Sequence, residues 1–218
     1  MKNSELTYKE IYGQPVSFQA INDTLDTIFK TLDEVFAEKY DEVIFTGCGT
    51  SLYLAQASAH AFSTCTGISA KGMCCSELYY FPETYVGNGK KVLVVPMTRK
   101  SYTTEVRMAI DKVRSYPGVK SLAITCDADS SKYNDYMLLS PETPEDSVIM
   151  TRSFTSMIYL AVVMSYYVGG KKEKIEQLKD YAANAESFLK ATDEMAKKIV
   201  AEHPEFLHTW LQKLPHGH

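Results

Sequence analysis

The sequence alternates strand-sized apolar segments with segments of helical periodicity, and this alternation restricts the possible folds more than any other feature. Five apolar runs rich in Val, Ile or Leu are bounded by polar residues or glycine, as expected of buried β-strands. Strands that alternate with helices form a parallel sheet covered on both faces, and right-handed crossovers make that sheet doubly wound. The predicted strands are residues 41–47, 67–76, 90–98, 119–127 and 136–143, and the predicted helices are residues 51–64, 103–116 and 153–168.

Helical segments flank the predicted sheet on both sides in the chain. Residues 16–38 carry apolar side chains at helical spacing after Pro15, which predicts an amphipathic helix that packs on the sheet or on a second subunit. The segment after residue 170 is rich in Lys, Glu and Ala and is expected to form one or two helices without a sheet strand. The predicted organisation is an N-terminal helical segment at 1–40, an α/β domain at 41–170 and C-terminal helices at 171–218.

Charge and composition argue against several classes of protein. The 218 residues carry a formal net charge of −4 with a pI of about 5.8, so we expect no nucleic-acid partner. No stretch approaches the roughly 20 apolar residues of a membrane span, and the N-terminus lacks the apolar core of a signal peptide, so we expect no membrane partner and a cytoplasmic location. The five cysteines show no CxxC spacing, which favours buried structural thiols over disulfides or a metal site. We expect neither a metal nor a cofactor.

The first predicted strand ends in the sequence GCGTS (47–51), directly before a predicted helix. At the carboxyl end of a parallel strand, a helix N-terminus presents N–H groups and the positive end of its dipole. Glycines permit a tight turn, and Thr50 and Ser51 can cap the helix or donate hydrogen bonds to an anion. The stretch favours a small anion such as phosphate, although an ordinary capped turn would use the same residues. Leu52 replaces the third glycine of a dinucleotide fingerprint, and the Gly-Lys-Ser/Thr of a nucleotide P-loop is missing.

Two further predicted strand ends are rich in hydroxyl groups. The third strand is followed by TRKSYTT (98–104), in which Arg99 and Lys100 add positive charge. The last strand is followed by a loop at 143–156, which also carries several hydroxyl side chains and Arg152. Ordinary helix N-caps would account for one hydroxyl in each loop, whereas these loops carry at least three. The sequence therefore predicts a pocket for a phosphate monoester on a polyhydroxylated molecule.

In these segments the chain resembles the sugar isomerase (SIS) domain family. The resemblance rests on FTGCGTSLYLA, CSELYYF, the hydroxyl-rich turn after the third strand and EDSVIMTRSFTSM, and it covers roughly residues 5–170. It implies a flavodoxin-like five-stranded parallel sheet that binds a phosphosugar, here most simply an amino-sugar 6-phosphate, at the strand ends. The resemblance assigns ligand contacts to Gly49, Thr50 and Ser51 in the first loop, to Thr98 and Thr103 in the second, and to Val148 and Thr151 in the third.

The second loop departs from the pattern Ser-x-Ser-Gly-x-Thr that is usual in the family. Lys100 stands at the second serine position, and Ser101 stands at the glycine position. A lysine there would either pair with phosphate as a point charge or point outward, and both alternatives remain open. The predicted binding set therefore also includes Lys100 and Ser101.

Isomerisation of a sugar phosphate requires a general base, usually His or Glu. Glu77 and His60 are weak candidates, because acids are favoured in the first turn of any helix and His60 lies well inside a predicted helix. Glu105 also falls in a first helical turn and carries the same objection. The other candidates are Glu145, His203 and His208.

Family members with the closest resemblance carry a second SIS domain, which supplies a catalytic glutamate and a His-Gly-Pro segment. His216 and Gly217 match that segment only by chance, because nothing like a second sheet precedes them. We therefore expect a homodimer or a partner SIS domain. Two hypotheses stay open: a phosphosugar isomerase or deaminase that is completed by such a partner, and a non-catalytic phosphosugar-binding module.

Overall fold

Five parallel strands form a single sheet in the computed structural model, which describes residues 3–87, 89–101, 103–143 and 145–205. The strands are β1 (Glu42–Gly47), β2 (Ala70–Cys74), β3 (Val92–Thr98), β4 (Val119–Thr125) and β5 (Tyr136–Leu139). Their order in the sheet is β2-β1-β3-β4-β5, and every neighbouring pair is parallel. This is the doubly wound, flavodoxin-like sheet that the sequence predicted.

Helices cover both faces of the sheet. They are α1 (Asn3–Tyr12), α2 (Gln14–Asp23), α3 (Leu25–Val35), α4 (Thr50–Thr66), α5 (Cys75–Tyr80), α6 (Pro82–Val86), α7 (Thr104–Val113), α8 (Arg152–Val168) and α9 (Lys172–Glu202), with a 3₁₀ helix at Ala128–Lys132. Because strand side chains alternate, Val43 and Phe45 of β1 pack into one apolar cluster with α2, α3, α4 and α8, while Ile44 packs into a second cluster with α5 and α7. Burial on both faces explains why β1 and β3 are apolar along almost their whole length.

The predicted helix at 16–38 is wrong as a single element, because the structure divides it into α2 and α3. The chain leaves helical geometry at Thr24, whose hydroxyl donates hydrogen bonds to the carbonyls of Ala20 and Ile21. Both halves contact α8, but α2 also packs on α9 whereas α3 also packs on β5. A change of packing partner therefore accompanies the break in the helix.

The fifth strand is shorter than predicted, since β5 ends at Leu139 rather than at residue 143. The chain turns directly afterwards: Thr143 donates its hydroxyl hydrogen to the carbonyl of Ser140, and Glu142 has a positive φ of 53°. The predicted C-terminal helical segment is one long helix, α9, up to Glu202, and His208 and His216 lie outside the described residues. Among the helices described, none combines the length and apolar character that crossing a bilayer requires.

Candidate functional site

A cavity of about 170 Å³ lies at the carboxyl ends of β1 and β3, beside the first turns of α4 and α7. Its walls are Cys48, Ser51, Met97, Thr98, Arg99, Lys100, Thr103, Val106 and Met150. The cavity therefore joins the first two loops that the sequence singled out and touches the third through Met150. Topologically it is the strand-end position at which doubly wound sheets bind ligands.

Two glycines shape the first loop. A Cβ atom on Gly47 would lie 2.4 Å from the carbonyl oxygen of Ser51, so only glycine permits this close approach of strand and helix. Gly49 has φ 54° and ψ −125°, a conformation that other residues rarely adopt. The resulting turn directs Ser51, which is 7% exposed, to the cavity wall, whereas the neighbouring Thr50 is exposed and outside that wall.

Hydrogen bonds inside the second loop hold it in a compact turn. The hydroxyl of Thr98 donates to the carbonyl of Lys100 at 2.8 Å, and the hydroxyl of Thr103 donates to the same carbonyl at 3.4 Å. Both threonines still line the cavity. Each hydroxyl donates its one hydrogen to this carbonyl, and its oxygen can still accept a hydrogen bond.

Ser101, the residue at the family's glycine position, does not line the cavity and bonds to the loop after β4. Its main-chain N–H and its hydroxyl donate to Oδ2 of Asp127, at 2.9 and 2.6 Å. Burial alone would raise the pKa of Asp127, but the hydrogen bonds from Ser101 and the main chain of Asp129 outweigh it and hold the pKa below its usual value. The substitution of serine for glycine thus supplies a tether between the loops after β3 and β4.

The third loop is organised around a buried carboxylate, Glu145, whose side chain is 0% exposed. Its Oε1 accepts hydrogen bonds from the main-chain N–H and the hydroxyl of Thr151, both at 2.7 Å, and Oε2 accepts the hydroxyl hydrogen of Ser153. Arg99 pairs with the same carboxylate at 3.3 Å and donates to the carbonyl of Ser147 at 3.1 Å. Burial would raise the pKa of Glu145, but the bonds from Ser153 and Thr151 lower it below its usual value. Glu145 is therefore held as an ionised carboxylate and braces the third loop, while a role as general base stays a prediction.

A second buried acid, Glu10 of α1, also holds this loop. Its Oε1 accepts the main-chain N–H groups of Asp146 at 2.7 Å and Ser147 at 3.1 Å. The bonds from these two residues overcome the effect of burial and lower the pKa of Glu10. Sequence reasoning missed this role, because the 136 residues between Glu10 and Asp146 leave no spacing signal. The available clue was that the family resemblance, which covers roughly residues 5–170, includes Glu10.

The hydroxyl groups at the three helix starts are not ordinary caps. The N-cap of α4 is Gly49, which has no side chain, and the N-caps of α7 and α8, Thr103 and Thr151, make no side-chain capping hydrogen bond. The alternative that these loops merely cap helices is therefore wrong for the hydroxyl groups. At the cavity, the first N–H groups of α4 and α7 are therefore not capped by the side chain of the N-cap residue.

Several predicted site residues lie away from the cavity. Val148 is 92% exposed in the third loop and does not line the cavity, nor do Gly49 and Thr151, so contacts of these residues with a ligand stay predictions. Glu77 is exposed and accepts a hydrogen bond from the hydroxyl of Tyr85, and His60 is exposed on α4. Further residues that do not line the cavity are Thr50 and Ser101 of the predicted binding set and Glu105, Glu145 and His203 of the predicted bases.

The prediction that all cysteines are buried is also wrong, because only Cys75 is buried and the other four are partly exposed. Cys48 lines the cavity. In the described part of the chain, no group of three or more His, Cys, Asp or Glu side chains is arranged to hold a metal ion.

Comparison with known proteins adds evidence on ancestry. Glutamine–fructose-6-phosphate aminotransferase (isomerizing) of Helicobacter pylori (strain J99) is 26% identical over 212 residues, which is 92% of this chain and 34% of the relative. D-galactosamine-6-phosphate deaminase AgaS of Shewanella sp. (strain ANA-3) is 26% identical over 175 residues, 73% of this chain and 45% of the relative. The chain thus spans less than half the length of either relative.

A solved structure confirms the fold, and a family model identifies the family. Tagatose-6-phosphate ketose/aldose isomerase from Escherichia coli superposes with a TM-score of 0.71 at 23% identity, over 85% of this chain and 53% of that one. The SIS domain model matches residues 37–168, which is more than half of the chain and includes the sheet and all three loops. The chain therefore belongs to the SIS domain family.

Proposed function

We propose that the cavity binds the phosphate group of a phosphosugar. The main support is the lining of the cavity, which combines three hydroxyl side chains with two cationic ones. The hydroxyl side chains are Ser51, Thr98 and Thr103, and the cations are Arg99 and Lys100. Phosphate oxygens accept hydrogen bonds from hydroxyl groups and attract Lys and Arg. For Thr98 and Thr103 this means that the hydroxyl hydrogen turns from the carbonyl of Lys100 to the phosphate when the ligand binds. Helices α4 and α7 begin beside the cavity and add the positive ends of their dipoles.

Lys100 is the principal cation for this phosphate. Arg99 also lines the cavity, but its guanidinium is paired with the buried carboxylate of Glu145 and its charge is largely balanced there. Of the two alternatives for Lys100, pairing with phosphate or pointing outward, we therefore infer the pairing with phosphate.

A hexose 6-phosphate, most simply an amino-sugar 6-phosphate, is the class of ligand that we infer. The names of the relatives mention fructose 6-phosphate and galactosamine 6-phosphate. The apolar walls formed by Met97, Val106 and Met150 suit the C–H faces of a sugar ring, while the hydroxyls and Lys100 suit its phosphate.

Isomerase or deaminase chemistry is a further part of the proposal, and it requires a base from outside the cavity. None of the described residues that line the cavity is a His, Asp or Glu. A second SIS domain or a second copy of this chain would have to supply the base, and the relatives do extend well beyond the matched region. The same observation supports the alternative of a non-catalytic phosphosugar-binding module. A cytoplasmic location and a dimer stay predictions from the sequence.

Thermal unfolding with and without glucosamine 6-phosphate tests the proposal. A ligand present at about 100 times its dissociation constant adds about 2.7 kcal/mol to the free energy of unfolding, which raises the midpoint of a chain of this size by roughly 5–10 °C. We expect a shift with glucosamine 6-phosphate that exceeds the shifts with glucosamine and with inorganic phosphate. Equal shifts with the phosphosugar and with free glucosamine would refute phosphate recognition. Release of ammonia from the bound sugar would then separate a deaminase from a binding module.

A further inference from the structure

Cys48, which lines the cavity, lies beside Cys74 and Cys75 at the carboxyl ends of two neighbouring strands. Parallel pairing places Gly47 of β1 next to Cys74 of β2, so that the following residues, Cys48 and Cys75, leave neighbouring strand ends side by side. The sulfur of Cys75 lies 3.3 Å from the hydroxyl oxygen of Thr46, and Cys48 packs against the buried apolar cluster that contains Cys75. Adjacent parallel strands are about 4.8 Å apart, which lies within the Cα separation of about 4.4–6.8 Å that a disulfide needs.

The two thiols differ in access to solvent. Cys48 is partly exposed and lines the cavity, whereas Cys75 is 0% exposed. A negative charge is therefore less costly on Cys48, and Cys75 is the thiol that keeps its proton and donates it in a hydrogen bond.

Hydrogen bonds to Cys48 favour a thiolate there. A hydrogen bond from Cys75 lowers the pKa of Cys48 to about 7, with a smaller contribution from Cys74, while partial burial and the charge of Glu105 oppose this change. The hydrogen bond to Cys48 and burial together raise the pKa of Cys75. Arg99 and Lys100 line the same cavity, and α4 begins at Thr50 with the positive end of its dipole near Cys48.

We propose that Cys48 is an oxidative modification site, at which a peroxide converts the thiolate to a sulfenic acid that Cys75 captures as a disulfide. In the first step the sulfur of Cys48 attacks one oxygen of hydrogen peroxide, the O–O bond breaks, and the other oxygen leaves as water after taking up a proton. In the second step the sulfur of Cys75 attacks the sulfur of Cys48, the S–O bond breaks, and the hydroxyl leaves as water with the thiol proton of Cys75. Two thiols are thus oxidised by two electrons, and one peroxide is reduced to two waters.

This reaction is independent of the proposed phosphosugar function. Only its consequence for ligand binding would rest on that function, because Cys48 shares the cavity with Ser51 and Thr98. The test therefore measures sulfur chemistry and not the affinity for a sugar.

Mass spectrometry of the full chain after treatment with hydrogen peroxide tests the disulfide. Remaining thiols are blocked with iodoacetamide and the chain is digested with trypsin without reduction. Cleavage after Lys39, Lys71 and Lys90 separates a peptide with Cys48 and Cys65 from a peptide with Cys74 and Cys75. We expect these peptides to be joined in the original chain and in the Cys65→Ser control, and to be separate in Cys48→Ser and Cys75→Ser. A cross-link that persists in Cys48→Ser or Cys75→Ser would overturn the pairing, and so would its absence from the original chain.

The rate of alkylation tests the reactive thiolate in the original chain. We expect iodoacetamide to label Cys48 about fivefold faster than Cys65 at pH 7, since a lower pKa raises the thiolate fraction more than it lowers nucleophilicity. The rate at Cys48 should reach half its maximum near pH 7, and Cys75→Ala should move that midpoint upward by removing the hydrogen-bond donor. Equal rates at Cys48 and Cys65 would overturn the proposal.

Discussion

In the loop after β3, the hydroxyls of Thr98 and Thr103 donate to one main-chain carbonyl and line the cavity, whereas in the loop after β5 the hydroxyls of Thr151 and Ser153 donate to the buried carboxylate of Glu145. The two loops have similar composition. In the third loop the acceptor is a buried charged carboxylate, whereas in the second loop it is a neutral carbonyl and the hydroxyls line an open cavity. Hydroxyl content therefore does not by itself distinguish a structural loop from a loop that faces a cavity, and the nearest acceptor does.

The largest expected effect is a loss of stability when the buried carboxylate of Glu145 is removed. Replacing Glu145 by Ala would leave the N–H of Thr151 without an acceptor and Arg99 without its partner, so we expect the free energy of unfolding to fall by about 3–5 kcal/mol. Urea unfolding measures this change. Glu105→Ala, at an exposed acid in the first turn of α7, is the matched control and should change stability by no more than about 0.5 kcal/mol. A loss below about 1 kcal/mol in Glu145→Ala would show that the third loop is not held by this acid.

Replacing Lys100 tests whether the loop after β3 binds phosphate. Lys100→Met should weaken binding of glucosamine 6-phosphate by about 1.5–3 kcal/mol, or roughly 10- to 100-fold, because a charged hydrogen bond to phosphate is lost. Isothermal titration calorimetry gives the affinity, and Lys112→Met, in the last turn of α7, serves as control. Equal affinities in the two variants would show that Lys100 does not contact the phosphate.

The dependence of stability on acid pH tests whether Glu145 of the third loop is ionised. The pKa of Glu145 is lower in the folded chain than in the unfolded chain, so its stabilisation is complete above the unfolded value, about 4.3, and is lost as the pH falls towards the folded value. Below about pH 4.5, the original chain should lose up to about 1.4 kcal/mol per pH unit more than Glu145→Gln, which cannot take up that proton. Urea titrations at several pH values measure both slopes, and parallel slopes would contradict an ionised Glu145.

The smallest effect concerns the tether of the second loop. Ser101→Ala removes one hydrogen bond to Asp127 while the main-chain bond remains, so we expect a loss of about 1 kcal/mol in the free energy of unfolding. Ser131→Ala, which removes an exposed hydroxyl bonded to the carbonyl of Ala128, should lose less. If both variants were equally stable, the tether would have no energetic role.

The fold was predictable because periodicity is a local property of the chain. Alternating strand and helix patterns predicted all five strands, and the glycines of the first loop predicted its turn. Ion pairs between loops carry no such local signal: Arg99 and Glu145 are 46 residues apart, so spacing could not show that they neutralise each other. The same holds for the bond from Thr151, which the family resemblance assigned to the ligand, to Glu145. The sequence thus predicted polar loops at the strand ends but not which of their side chains bond to one another.

Calorimetric titration of glucosamine 6-phosphate into Ser51→Val/Thr103→Val tests the central claim, that the loops after β1 and β3 form a phosphate site. Thr104→Val, an exposed hydroxyl next to Thr103 that does not line the cavity, is the control for helix α7. Urea unfolding verifies that both variants are folded. We expect the double variant to lose about 100-fold or more in affinity, since two hydrogen bonds to a charged group are removed, and the control to bind as the original chain does. Unchanged affinity in a folded double variant would contradict the assignment of the site.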